Sequence, residues 1–216
     1  MGKPRLDLSL YLITDTALCG QFGVAATVAA AARAGVTVVQ LRDPYATDDE
    51  LVALGRTVVT ALTDTGVPLL VNDRVHLVEV IGAQGAHIGQ SDLGVAEARA
   101  LLGPAAYLGL SAQTVDHVAR ARTRGVRSLD YLGVGPVWAQ STKPDAATPG
   151  GLERLRTIVS VSPWPCVAIG GIDADHASLV RATGVAGVAV VSAICGRPDA
   201  AAAARAIRTA WDGAGA

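Results

Sequence analysis

Aromatic side chains are few in this chain: one phenylalanine, three tryptophans and four tyrosines among 216 residues. A core must therefore be built from aliphatic and small residues, and 24 glycines with abundant alanine point to closely packed, alanine-faced helices in an α/β core. Cysteine is scarce as well. Cys19, Cys166 and Cys195 are an odd number for internal pairing and form no compact metal-binding pattern, which predicts ordinary thiols in a reducing, cytoplasmic setting. Neither charge sign is in excess: 18 Lys and Arg face 19 Asp and Glu. That balance argues against the broad basic footprint of a nucleic-acid binder and leaves room for a local anion pocket. No apolar run is long and unbroken enough to span a bilayer, and the first 12 residues lack the grammar of a secretory signal, so no membrane partner is expected.

Half of the residues are apolar and 17% are charged, proportions that suit one domain over residues 1–216, with loose ends expected at both termini. Strand-like apolar runs fall at 8–14, 36–42, 68–72, 86–89, 107–111, 130–135, 165–170 and 187–192. Helical patterns follow them at 23–34, 47–65, 75–81, 94–102, 114–124, 151–159, 173–182 and 199–211. Parallel strands need such crossovers, and eight of them close without leaving a sheet edge, so the α/β chain is expected to form a (β/α)₈ TIM barrel. An open doubly wound sheet is the structural alternative. Alanine-rich helices serve either to cover the barrel or to form a homo-oligomer interface.

A barrel of this kind gathers chemistry where its strands end. Gln40 and Arg42 lie two positions apart on one strand and therefore face the same side; an amide suits a polar ring, and a guanidinium suits phosphate oxygens. Asn72 and Asp73 end the run PLLVND, and Asp92 follows AHIGQS at the next strand end. Two carboxylates on neighbouring strand ends suit Mg²⁺ held together with phosphate oxygens and water, although they serve equally as helix caps. Ser111 ends YLGLS, while Thr142 and Lys143 lie in the polar loop WAQSTKPDAATPGG. A lysine there can approach a phosphate when the loop closes. The glycines of IGGI, Gly170 and Gly171, and the backbone at Val191 and Ser192 offer a second, monophosphate-sized cradle. Tight barrel turns are the other reading of the same glycines. The four histidines form no metal motif or nucleophilic triad and read as core or surface residues.

Taken in order, YLITD, VVQLR, VND, HIGQSD, GLS, YLGVGP, STK, AIGGI and VVSAI resemble the thiamine phosphate synthase family from first strand to last. The resemblance implies an enzyme joining 4-amino-5-hydroxymethyl-2-methylpyrimidine diphosphate to 4-methyl-5-(2-phosphoethyl)thiazole, giving thiamine phosphate and diphosphate. It implies that Gln40 orients the pyrimidine, Arg42 and Asn72 contact the diphosphate, and Asp73 with Asp92 positions Mg²⁺. It assigns Ser111 and Lys143, with Arg42, to the reacting diphosphate, and Thr142, Gly171, Val191 and Ser192 to the thiazole phosphate. The chain departs from the family at Pro44, where a lysine is common, with Arg74 or Lys143 left to offset the missing cation, and at Gln140, where a threonine is frequent. A thiazole tautomerase or a noncatalytic phosphate-metabolite sensor on the same barrel are the alternatives. Neither needs the set Asn72, Asp73, Asp92, Ser111 and Lys143.

Overall fold

The computed structural model describes residues 3–123, 125–140 and 148–213. Eight parallel strands pair in sequence order and close on themselves, the eighth against the first. They are β1 (Leu10–Ile13), β2 (Val38–Leu41), β3 (Leu69–Asn72), β4 (Gly85–Ile88), β5 (Tyr107–Ala112), β6 (Tyr131–Val134), β7 (Cys166–Ile169) and β8 (Gly187–Val190). The expected closed barrel is thus the observed one. Its helices are α1 (Thr16–Cys19), α2 (Val24–Ala32), α3 (Asp48–Leu62), α4 (Val78–Ile81), α5 (Val95–Leu102), α6 (Val115–Thr123), α7 (Gly151–Val161), α8 (Ala174–Arg181) and α9 (Ala200–Gly213).

The helical pattern anticipated eight helices, whereas nine occur among the described residues. The additional one, α1, exists because Asp15 caps it, its carboxylate accepting from the Leu18 amide at 3.0 Å. α3 shows the fuller form of the same device. Thr47 accepts from the Glu50 amide and Glu50 reaches back to the Thr47 amide, so two otherwise unpartnered N–H groups are satisfied together.

Strand alternation sorts side chains into two cores. Leu10, Leu12, Val39, Leu41, Val71 and Ile88 point outward to the helices and join one large aliphatic cluster. Tyr11, Ile13, Val38, Leu70, Tyr131, Val167 and Ala189 point inward and form a second. Two of the chain's few aromatics thus fill the inside, their rings 5.8 Å apart and edge to face. The glycines of YLGLS and YLGVG now have a reason. A methyl at Gly109 would overlap the Tyr131 ring, and one at Gly133 would stand 2.9 Å from His87 Cε1. Short residues on β5 and β6 make room for large ones on β4 and β6.

Below the barrel, Asp130 acts as a staple. One carboxylate oxygen accepts from Lys3 at 2.7 Å, Arg99 at 3.0 Å and the Leu108 amide at 2.8 Å. Asp130→Ala leaves three donors unmatched. It is expected to cost about 1–3 kcal/mol of unfolding free energy. Urea unfolding should show a lower midpoint at constant slope; an unchanged midpoint would remove the staple from the account of stability.

Candidate active site

At the C-terminal rim, Gln40 and Arg42 come from the end of β2 and the residue beyond it. Gln40 is buried, 2% exposed, and its amide nitrogen donates to the Tyr11 hydroxyl at 2.8 Å. The amide expected to face a ligand is therefore anchored from inside the barrel. Arg42 is held by a residue the sequence reading passed over. Buried Thr14 accepts from the Arg42 amide at 2.9 Å and donates to its carbonyl at 3.3 Å, which fixes the backbone from which the guanidinium projects. Asp15 lies 3.9 Å from that guanidinium.

Asn72 ends β3, and Asp73 follows with φ of 59°, a left-handed conformation unusual outside glycine. The strain costs about 1–2 kcal/mol. It is imposed from two sides: the Asp73 amide donates to His87 of β4, while the Arg74 and Val75 amides donate back to Asn72 and Asp73. Asn72 Nδ2 donates to Asp73 Oδ2 at 2.6 Å, orienting the carboxylate. Arg74 is committed elsewhere. Its guanidinium bonds Asp48 at 3.1 Å and the Ala46 carbonyl at 2.6 Å, tying the β2–α3 loop to the β3–α4 loop. It therefore acts as a tie between loops, and its donors to Asp48 and Ala46 are not directed at a diphosphate in place of the missing lysine.

Asp92 lies in the loop after β4, exposed, with Oδ2 accepting from the Gly89 amide at 2.7 Å. In the same loop, Gln90 donates to the Ser111 carbonyl at 2.6 Å, which joins the rims of β4 and β5. Ser111 faces inward, its hydroxyl 2.9 Å from His87 Nε2. The sequence alone gives His87 a core or surface role, and only inward alternation from Gly85 hints otherwise.

Thr142 and Lys143 lie outside the described residues. The flanks of their loop are brought together: Gly150 and Gly151 amides donate to Pro136 and Val137 carbonyls, each at 3.0 Å. The start of the loop runs beside β7, with Val137 and Trp138 amides donating to Ile169 and Gly170. Gly170 and Gly171 have φ of 103° and 66°, and a side chain at Gly171 would press within 2.7 Å of Trp138. Both the left-handed backbone and the close approach require glycine. After β8, the Ile194 and Cys195 amides turn back to the Val191 carbonyl, and Ser192 is exposed on that turn. Since β7 and β8 pair, the two turns share one stretch of rim.

Asp73, Asp92 and Asn72 offer hard oxygen donors, a set suited to Mg²⁺. Among the described residues, no group of three or more His, Cys, Asp or Glu gathers as a complete metal cage. A magnesium ion at this rim would need oxygens from water and a phosphate-bearing ligand as well, which is its usual manner of binding.

Residues 10–194 match the family model described as thiamine monophosphate synthase. The chain is 46% identical over 198 residues to a thiamine-phosphate synthase of Psychrobacter sp. (strain PRwf-1), covering 92% of each. It is 45% identical to the thiamine-phosphate synthase of Xanthobacter autotrophicus (strain ATCC BAA-1158 / Py2), with 97% of this chain and 98% of that one covered. The solved thiamine phosphate pyrophosphorylase from Pyrococcus furiosus superposes with a TM-score of 0.86 at 32% identity, over 98% of this chain and 99% of that one. With an eight-stranded barrel, a polar rim built from these same motifs and relatives aligned over nearly the whole length, the chain belongs to the thiamine monophosphate synthase family of barrel enzymes.

Proposed function

We propose that this barrel joins 4-amino-5-hydroxymethyl-2-methylpyrimidine diphosphate to 4-methyl-5-(2-phosphoethyl)thiazole, releasing thiamine phosphate and diphosphate. Family membership carries the reaction. The observation that supports these residues in these roles is the rim itself, where Arg42, Asn72, Asp73, Asp92 and Ser111 lie at or beyond the C-terminal ends of strands paired in sequence, β2 to β5.

Arg42 receives diphosphate oxygens with a fork of donors, and Thr14 fixes the backbone from which that fork projects. Ser111 adds a hydroxyl donor, and Lys143 a positive charge. Asp73 and Asp92 would hold Mg²⁺, which supplies positive charge to the departing diphosphate. As the carbon–oxygen bond of the methylene weakens, the electron-rich aminopyrimidine spreads the developing positive charge, and the thiazole nitrogen then attacks the methylene carbon. No protein nucleophile is required. The chain's work is to align the two rings and keep water from the cation. The thiazole phosphate rests on the turn at Gly171, on Val191 and Ser192, and on Thr142. Buried, free Cys19, Cys166 and Cys195 suit a reducing cytoplasm.

The test is a mass-resolved coupling assay with both substrates and Mg²⁺. Thiamine phosphate and diphosphate should appear in equal amounts and only when both substrates are present. A folded protein that isomerises the thiazole phosphate without coupling it would establish the tautomerase reading. Binding of the thiazole phosphate with no turnover would establish the sensor.

A further inference from the structure

Five inward side chains on five strands make one unbroken chain of hydrogen bonds through the barrel. Gln40 Nε2 meets the Tyr11 hydroxyl at 2.8 Å, and Tyr11 meets the Tyr131 hydroxyl at 2.8 Å. Tyr131 meets His87 Nδ1 at 2.9 Å, and His87 Nε2 meets Ser111 Oγ at 2.9 Å. Tyr11 and Tyr131 are 1% and 0% exposed, so water does not interrupt the series. Burial also pushes both phenols well above their ordinary pKa, which keeps each a neutral hydroxyl with one proton to give.

The direction of such a chain is set at its start. Gln40 presents its NH₂ group, a donor only, so Tyr11 accepts there and gives its own proton to Tyr131. Tyr131 in turn gives its proton to Nδ1 of His87. A neutral imidazole that accepts at Nδ1 carries its hydrogen on Nε2, and it donates that hydrogen to Ser111. The Ser111 oxygen is then satisfied from within, and its hydroxyl proton points to the rim. Run in reverse, the same chain would turn the Ser111 proton inward and present lone pairs to an anionic ligand.

We propose that Gln40, Tyr11, Tyr131 and His87 form a directional relay that holds the Ser111 hydroxyl as a hydrogen-bond donor toward the leaving diphosphate, making Tyr11, Tyr131 and His87 positioning residues for the coupling step. The inference rests on the placement of Ser111 at the diphosphate in the reading above. Cooperative polarisation along the series strengthens its last bond, where charge develops as the diphosphate departs. The geometry also accounts for the investment in glycine at 109 and 133, which vacates the space that the Tyr131 and His87 rings occupy.

Tyr131→Phe keeps the ring and removes the middle link. His87 Nδ1 then has no phenol donor, and the imidazole is released to take the other tautomer. The expected result is a kcat lowered about tenfold or more, as for loss of a supporting partner behind a reacting group, with KM for the thiazole phosphate unchanged. A packing defect would lower rate in any background. A relay acting through Ser111 predicts instead that Tyr131→Phe has no further effect once Ser111→Ala is in place. Equal fractional losses in both backgrounds would overturn the proposal, as would a parent-like rate in Tyr131→Phe alone.

A second measurement needs no turnover. In the ¹⁵N-histidine-labelled parent, with His87 assigned by comparison with His87→Gln, the His87 resonances should be those of a neutral ring protonated at Nε2. A ring protonated at Nδ1 sinks the relay even if the enzyme is active. Conversely, a parent that makes no thiamine phosphate defeats the functional reading while the His87 tautomer still decides the direction of the chain.

Discussion

Asp92→Ala is expected to yield a folded barrel that makes almost no thiamine phosphate. The carboxylate is exposed and its bond to the Gly89 amide is local to one loop, so the fold loses about 1 kcal/mol, an ordinary hydrogen bond. The chemistry loses more. Diphosphate departure depends on charge placed where the leaving oxygens gather, and removing one such preorganised element costs on the order of a hundredfold or more in rate. Product quantified by mass at increasing Mg²⁺ reads the effect directly, and circular dichroism checks the fold. Asp92→Asn keeps the size of the side chain and removes its charge, so it should resemble Asp92→Ala. If both variants couple the substrates at the parent rate, Asp92 is a loop residue and no magnesium ligand.

Gly109→Ala tests the inside of the barrel. The added methyl would overlap the Tyr131 ring, which is fully buried beside Tyr11 and His87 and has no open space to enter. Overpacking of this sort costs about 3 kcal/mol, and in a chain of this size the melting temperature should fall by about 6–12 °C. Activity should fall as well, because the ring that must move carries the central hydroxyl of the buried chain. The companion substitution separates the two effects. Adding Tyr131→Leu to Gly109→Ala frees volume and should recover part of the melting temperature while leaving coupling slow. Recovery of both together would show that Tyr131 serves packing alone, and a melting temperature unmoved by Gly109→Ala would show that the interior yields where close packing says it cannot.

Much of the candidate site's placement at the rim could be read before the fold. Gln40 and Arg42 share a side because strands alternate, and Asn72, Asp73, Asp92 and Ser111 declared themselves as polar residues ending apolar runs. Thr14 could not be read in the same way. Its contribution is two hydrogen bonds to the Arg42 backbone across 28 positions, and nothing in the run YLITD states which strand it will meet. Arg74 shows the converse, since a cation next to Asp73 looks like a phosphate ligand until Asp48 and Ala46 are found holding it.

What this chain determined by itself is periodic and local: eight alternations of apolar run and helix, the polar ends of the strands, the glycines at tight turns and the caps at Asp15 and Thr47. These follow from the geometry of a strand or a helix turn, which neighbouring residues settle among themselves. Only the closed barrel decided that Tyr11, Tyr131 and His87, apart in sequence by as many as 120 positions, would meet as one hydrogen-bonded series under Ser111. Contacts inside a barrel depend on register and curvature, and on which side chains are small enough to let others in. Those quantities belong to all eight strands at once and to no segment alone.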